Sequence, residues 1–452
     1  MAFKTLLLAG GSLLVSASAA SASGFQVNLG GQKNIGMGGV GVGLSLDQAA
    51  MFYNPGALAM VRDNGVQLGF NAAIARVSYR DVNGGDQTGI DHKVVTPFNF
   101  YAGFGPKEGK YKFGVAVYTP YGSTLKYADK WAGRYALTEI TLQAVYVQPT
   151  ASFAITPQLS VGAGLTILAY GNVNLQKDVP LPTQDPGQPI GPGHITLDGK
   201  AKTQFGYNVG VFFKPSDKFS AGISYRSRIN ATVENGSVSY SGLPATGTGT
   251  GNAVNPKFTA TNFSASLPLP SVASIGLGIN PTDKLTIGLD ASLTFWSVYR
   301  SLDLDFSGDN GNGNIPASGS TPAKTSTPGL VGGNTSSNSK RYYQDALAFR
   351  LGGQYKVDDK LTVRLGTSYD FTAVKDGYVG PETPDADRII GTAGVSYQVT
   401  ENFGIDASFL FEGFRQRTQT QQDLLDNGTT DRIAGTYKTN VYVPGIGLNY
   451  KF

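Results

Sequence analysis

The residues that could do chemistry are few, and their types narrow the possibilities quickly. The chain has 452 residues, two histidines and no cysteine. That composition excludes thiolate nucleophiles, a disulfide scaffold and any cysteine-based metal centre. His92 and His194 both fall in stretches that read as loops, and neither has an acid, second histidine or thiol at ligand spacing. A serine–histidine–acid hydrolase would need a histidine held on a strand, so no enzyme is expected. No cofactor and no metal are expected either. Residues 36–43 contain a G-x-G spacing. With no strand before it and no basic residue after it, it is not a phosphate loop. The net charge of +4 is small for this length and unclustered, which excludes a nucleic-acid partner.

What remains is a set of charged residues at matching strand parity. Arg226, Arg228, Arg350, Arg364 and Arg388 fall on the same side of their segments as Asp290, Asp370, Asp406 and Glu412. Such a set can satisfy itself as a polar network. It can also spare one or two guanidiniums for the carboxylate of a ligand, the pairing whose fork geometry suits arginine best. Arg226 and Arg364 are the candidate carboxylate anchors.

Those residues need strands to position them. Apolar and small or polar residues alternate over 66–79, 93–105, 111–120, 137–155, 158–176, 199–214, 217–234, 258–280, 283–300, 340–356, 360–375, 386–399, 402–418 and 434–452. In one segment Leu285, Ile287, Leu289, Ala291, Leu293 and Phe295 form an apolar face, with Thr286, Gly288, Asp290, Ser292 and Thr294 opposite. Six connections are tight and rich in turn formers: 105–110, 156–158, 214–218, 280–284, 357–360 and 399–402. Seven longer polar ones alternate with them. Short turns on one side and long loops on the other, with an apolar face on every strand, predict an all-β membrane protein, a 14-stranded antiparallel transmembrane β-barrel. Both chain ends then lie on the short-turn, periplasmic side. Phe104, Tyr118, Phe213, Tyr225, Tyr355 and Tyr397 are expected in the interfacial girdles.

The remaining sequence is N-terminal. Lys4, an apolar run over 6–15 and Ala20-Ser21-Ala22 read as a signal peptide, residues 1–22. The run is too short to span a bilayer. Residues 23–64 are too rich in glycine and too irregular for a strand or long helix, and read as a plug inside the barrel formed by 65–452.

In this plug Gly24-Phe25-Gln26, Gly36-Met37-Gly38-Gly39 and Asn54-Pro55-Gly56 resemble the hatch of FadL-type outer-membrane transporters of hydrophobic compounds, the family that includes toluene and xylene porins. Trp131-Ala132-Gly133-Arg134-Tyr135, Leu267-Pro268-Leu269-Pro270, Phe295-Trp296-Ser297 and Pro384-Asp385-Ala386-Asp387-Arg388 extend the resemblance in order along the chain. Gly56 departs from the usual alanine. The terminal face Ile446, Leu448, Tyr450 and Phe452 looks like the signal read by the barrel-assembly machinery of Gram-negative bacteria.

The resemblance implies a monomer in the outer membrane, among its lipid and lipopolysaccharide, with no open aqueous channel. Long-chain fatty acids or other hydrophobic molecules would be captured at extracellular loops, pass to an inner pocket gated by the hatch, and leave through the wall. Phe25 would touch ligand or merely help to plug the barrel. Asn54 and Pro55 would fix the hatch fold. The loops 177–199 and 235–261 lack the helical apolar stripe of well-known members, and 301–339 is low-complexity. An importer of monoaromatic hydrocarbons is the alternative within the family. An adhesin or structural barrel is the alternative from another class.

Overall fold

The structure, a computed structural model, describes residues 24–452 except 86, 92, 107–108, 180–192, 243–257, 310–334 and 430. The expected signal peptide and His92 lie outside the described residues. Fourteen antiparallel strands form the wall. They are β1 (Gly65–Asn71 continued by Ala73–Asp81), β2 (Phe98–Phe104), β3 (Tyr111–Lys126), β4 (Glu139–Ala154) and β5 (Leu159–Val179). Then come β6 (Gly193–Lys200 and Gln204–Ser216), β7 (Phe219–Arg226 and Ile229–Ser241), β8 (Asn262–Leu269 and Val272–Ile279) and β9 (Leu285–Thr294 and Ser301–Ser307). The last are β10 (Ser336–Lys340 and Ala346–Lys356), β11 (Leu361–Asp370), β12 (Arg388–Gln398), β13 (Phe403–Phe414 and Arg417–Gln419) and β14 (Gly435–Lys451).

Each strand pairs with the next, and β14 returns to β1 with Leu448 opposite Leu68. Closure leaves the sheet without an edge, which is what a strand structure needs in a medium that offers no hydrogen bonds. The strand ends flank all six expected tight turns.

The pleat sorts the side chains. Leu365, Ile389 and Phe205 are 71%, 61% and 64% exposed on the outer face, while Arg364, beside Leu365 in sequence, is 6% exposed and faces inward. Ile446, Leu448, Tyr450 and Phe452 share the outer face of β14. Tyr118 corrects the girdle expectation. It is buried in the lumen, because even-numbered residues along β3, from Lys112 through Ala116, all point inward.

Several strands are longer than the sequence pattern suggests, and seven of the fourteen are interrupted, β6 to β10 in succession. β5 runs to Val179 and β6 begins at Gly193, so much of the expected loop 177–199 is strand. β7 likewise reaches Ser241, while Ser301–Ser307 and Ser336–Lys340 extend β9 and β10 into the low-complexity stretch. A crossing takes about 9–11 residues, so the 21-residue β5 projects well beyond the bilayer. β6 to β10 break at 201–203, 227–228, 270–271, 295–300 and 341–345. Pro270 cannot donate to a ladder, and a 3-10 turn at Trp296–Val298 diverts β9. The break in β7 shifts its parity: Arg226 and Ile229 are both buried, and Arg228 is exposed, not in the lumen. Beyond the breaks the strands pair among themselves and hold a separate apolar cluster around Phe258, Phe263 and Phe306.

Residues 24–64 run through the lumen. They contain two short helices, α1 (Gln32–Gly36) and α2 (Ala50–Tyr53), and a 3-10 turn, Pro55–Met60. A third helix, α3 (Gln421–Asn427), lies between β13 and β14. It is closed at one end by a Thr420–Asp423 capping box and at the other by Gly428 at φ 62°.

Candidate ligand path through the barrel

An irregular segment buried in a barrel has backbone groups that strands cannot satisfy, and the wall supplies partners for them. Asp290 Oδ2 accepts the amides of Gly41 and Val42 at 2.7 and 3.0 Å. Thr392 Oγ1 accepts the Gly38 amide at 2.8 Å and donates to the Gly36 carbonyl at 3.1 Å. Ser220 donates to Gly43 O, and Ser152 and Ser160 both donate to Gly56 O. Gln148 donates to Met51 O at 2.9 Å. The wall also gives way sterically. A Cβ at Gly352 would sit 1.9 Å from Met37 O, and one at Gly366 would sit 2.1 Å from Gly38 N. Glycine at these two strand positions lets the plug backbone lie directly on the wall.

Asn54 is fully buried and uses its whole amide. Its Nδ2 donates to Val42 O at 2.9 Å and to Val211 O at 3.0 Å, and its Oδ1 accepts the Gly56 amide at 3.0 Å. It thereby joins two parts of the plug to β6. Pro55 starts the 3-10 turn, where a missing N–H costs nothing.

Phe25 packs edge-on against Trp296 at 4.7 Å, with Tyr121 and Tyr299 each at 6.1 Å. It lines two cavities. The inner one, about 480 Å³, has apolar walls including Val77, Leu142, Leu410 and Val441 and a charged lining of Lys93, Arg350, Arg388, Asp370, Glu382, Asp385 and Glu412. The outer one, about 250 Å³, is bounded by Leu175, Ile195, Leu197, Phe263 and Phe306, with Lys177, Arg341, Arg432, Glu382 and Asp431 at its polar side.

The inner cavity reaches the wall between β2 and β3. The two strands pair from Asn99–Tyr118 to Phe104–Phe113. Beyond that, among the described residues, pairing resumes only where Ile90 bridges Tyr127 and the Asp91 amide donates to Lys126 O at 2.7 Å. A bulge in β3 at Thr119–Pro120 sits at the start of the gap, between Tyr118 and Tyr121 in the pairing with β4. Residues 25–27 occupy the β3 backbone there instead. The Gly122 amide donates to Phe25 O at 3.0 Å, and the Val27 amide donates to Pro120 O at 2.8 Å. Both margins of the gap, Val95 to Phe98 and Tyr121 to Leu125, line the inner cavity.

The expected anchors lie elsewhere. Arg226 donates to Phe52 O at 2.7 Å, and its guanidinium lies 4.5 Å over the Phe52 ring. Arg364 donates to Gln354 at 3.1 Å and to Ser396 at 2.6 Å. Neither lines the inner or the outer cavity. The cations that do are Lys93, Arg350 and Arg388 at the inner cavity and Lys177, Arg341 and Arg432 at the outer one; Arg341 sits in a strand break, and Lys177 and Arg432 lie beyond predicted strand ends. Parity found Arg350 and Arg388, but no sequence signal marks Arg341, Arg432 or Lys177. His194 also departs from expectation: it stands in β6, with Nδ1 2.9 Å from Asp178 Oδ1 and Nε2 3.2 Å from Gln176 Oε1. With both ring nitrogens engaged by an acid and an amide, it has no serine to activate. Among the described residues no cluster could hold a metal ion.

Residues 13–452 match the outer membrane protein transport protein family (OMPP1/FadL/TodX). The chain belongs to this family. It is an outer-membrane β-barrel of a family that transports hydrophobic compounds. It is 24% identical over 421 residues to the long-chain fatty acid transport protein of Escherichia coli O6:H1, covering 87% of each chain. Its fold is similar to that of a Pseudomonas aeruginosa FadL homologue, with a TM-score of 0.75 at 22% identity, covering 95% of this chain and 100% of that one. It is also similar to the toluene transporter TodX of P. putida, with a TM-score of 0.67 at 14% identity over 96% and 99%.

Proposed function

We propose that this protein is a passive importer of hydrophobic molecules, with long-chain fatty acids as the leading substrate. The observation that carries the reading is the inner cavity. It is apolar, roofed by Phe25, and reaches a gap in the wall held by residues 25–27 of the plug. The long-connection end faces outward and both termini face the periplasm. Ligand enters the outer cavity, passes Phe25 when residues 24–27 move, and leaves sideways between β2 and β3 into the membrane. Such a path keeps apolar surface out of water throughout, which a water-filled pore would not. Residues 23–64 act as the hatch, Phe25 as its ligand-contacting tip, and Asn54 and Pro55 as its hinge-side clamp. The protein works as a monomer, inserted by barrel-assembly machinery into lipid and lipopolysaccharide.

The test is uptake of labelled oleate by an outer-membrane host lacking its own fatty-acid transporter, with labelled toluene in parallel. Oleate uptake that needs an intact hatch supports the reading. Toluene uptake without oleate assigns the protein to hydrocarbons, the substrate class in the name of the TodX neighbour. Neither, from an assembled barrel, favours an adhesin or structural role.

A further inference from the structure

The outside of the wall carries a patch of cations that no part of the ligand path uses. On β1, Val77 and Tyr79 are buried in the lumen, so Arg76, Ser78 and Arg80 face outward. On β14, Tyr437 and Thr439 are buried likewise, and Lys438 faces outward. Ser78 stands opposite Lys438, with Arg76 opposite Asn440 and Arg80 opposite Thr436. Lys438 is thus the diagonal neighbour of both arginines, about 7–8 Å away, a gap that long side chains span. Arg415 adds a fourth charge. It is exposed in the break of β13 between Phe414 and Arg417. That break lies beside Lys438, because Gly413 pairs with Asn440 and Arg417 with Tyr437.

The residues next along the wall fix the level of this patch. Ile446, Leu448 and Tyr450 form the exposed apolar face of β14 towards its C-terminal end. Tyr442 packs on Phe411 of β13 at 5.2 Å and stands opposite Ile74 of β1. At about 3.3 Å per residue, the outward run from Tyr450 to Tyr442 fits an apolar band of about 25 Å with an aromatic girdle at each edge. The patch begins just past the second girdle, where the Arg76 guanidinium lies 5.4 Å over the Tyr442 ring. That is headgroup level in the leaflet at the long-connection end. Among the described residues, Arg76, Arg80 and Lys438 make no ion pair. The acids that flank these strands are engaged elsewhere. Asp91 pairs with Lys126 at 3.7 Å, Asp81 accepts the Asn83 amide at 2.8 Å, and Asp387 accepts the Thr372 amide at 2.9 Å.

We infer that Arg76, Arg80 and Lys438 form a binding site on the outer wall for the phosphates of one lipopolysaccharide molecule. The inference rests on the reading that the long-connection end faces the cell exterior. Lipid A carries its phosphates at the top of the outer leaflet and its acyl chains below. The charge of the patch and its height above the apolar band both match that layout. Guanidinium forks suit phosphate oxygens, and clustered cations draw anionic headgroups to a membrane surface. The acyl chains lie against Tyr442, Phe411 and Ile446, on the same outward face. The site is separate from the cavities, and its ligand is a resident of the membrane and not the cargo.

Orientation is tested separately from binding. The chain has no cysteine, so Asn83→Cys, exposed between β1 and β2, should be labelled in intact cells by an impermeant maleimide. Labelling only after the outer membrane is opened would overturn the orientation and the site together. Binding is then measured on the purified mature barrel by native mass spectrometry. The probes are diphosphorylated lipid A, the same lipid A stripped of its phosphates, and phosphatidylglycerol. Diphosphorylated lipid A is expected to bind about tenfold more tightly than either of the others. The variant Arg76→Gln/Arg80→Gln/Lys438→Gln should lose that preference. The variant Lys200→Gln/Arg228→Gln/Lys375→Gln, which removes as much exposed charge elsewhere, should keep it. Equal binding of the two lipid A forms, equal binding of phosphatidylglycerol, or equal loss in the two variants overturns the site. The lipid comparison needs no variant, so it decides the matter even if one fails to fold. None of these binding outcomes bears on the transporter reading, which is tested by uptake.

Discussion

Asn54 shows how much one side chain can do when its environment leaves no water to replace it. Its three hydrogen bonds end on two buried plug backbone groups and one part-buried wall carbonyl. Asn54→Ala strands them, at a cost of about 1–3 kcal/mol for each buried group left unpaired. The plug is therefore expected to loosen while the barrel still forms. Oleate uptake should fall, and a cysteine placed in 25–29 should become reactive to a bulky maleimide, with heat-modifiable gel mobility unchanged. Normal uptake by this variant would remove Asn54 from the gating scheme. The Asn-Pro pair is visible in the sequence as turn chemistry, but its partners are not, because Val211 is 157 residues away. The arginines show the same limit. Period-2 alternation correctly puts Arg226 and Arg364 inside, but what each guanidinium meets depends on where the plug backbone crosses, and Phe52 O takes the first.

At the scale of elements, the plug is seated by backbone lying on backbone. Gly366→Ala would place a methyl 2.1 Å from Gly38 N, and neither the strand nor the plug can yield cheaply there. The expected outcome is a displaced plug, read as ion conductance across a planar bilayer from a barrel that is otherwise folded. A silent channel would mean that the plug tolerates the shift. The bulge at Thr119–Pro120 marks where β3 stops pairing with β2. Deleting those two residues should let β3 continue its ladder with β2 and close the gap, because a bulge is what interrupts the pairing. Uptake should then drop with no change in binding at the outer cavity; uptake at the wild-type rate would place the exit elsewhere. Strand existence and the six tight turns are legible in the sequence, since alternation and turn residues are local properties. The breaks in β6 to β10 are not. Alternation continues on both sides of each break, and only the pairing partners reveal that two segments carry different cores.

For the whole molecule, the wall closes with β14 on β1, and the lumen is filled by 24–64. Removing 24–64 while keeping residues 1–23 should leave a folded barrel that conducts ions freely, whereas the intact protein should conduct little. High conductance from the intact protein would instead indicate a hydrophilic pore. The barrel, its strand number, the irregular lumenal segment and the family can all be read from the chain alone, because each is written in periodicities, turn residues or contiguous motifs a few residues long. Where the cavities lie, which cations border them and where the wall parts become visible only once the chain is folded. Those features arise between segments hundreds of residues apart, at strand breaks and a bulge, where hydrogen bonding that local patterning cannot specify is exchanged between the wall and the plug.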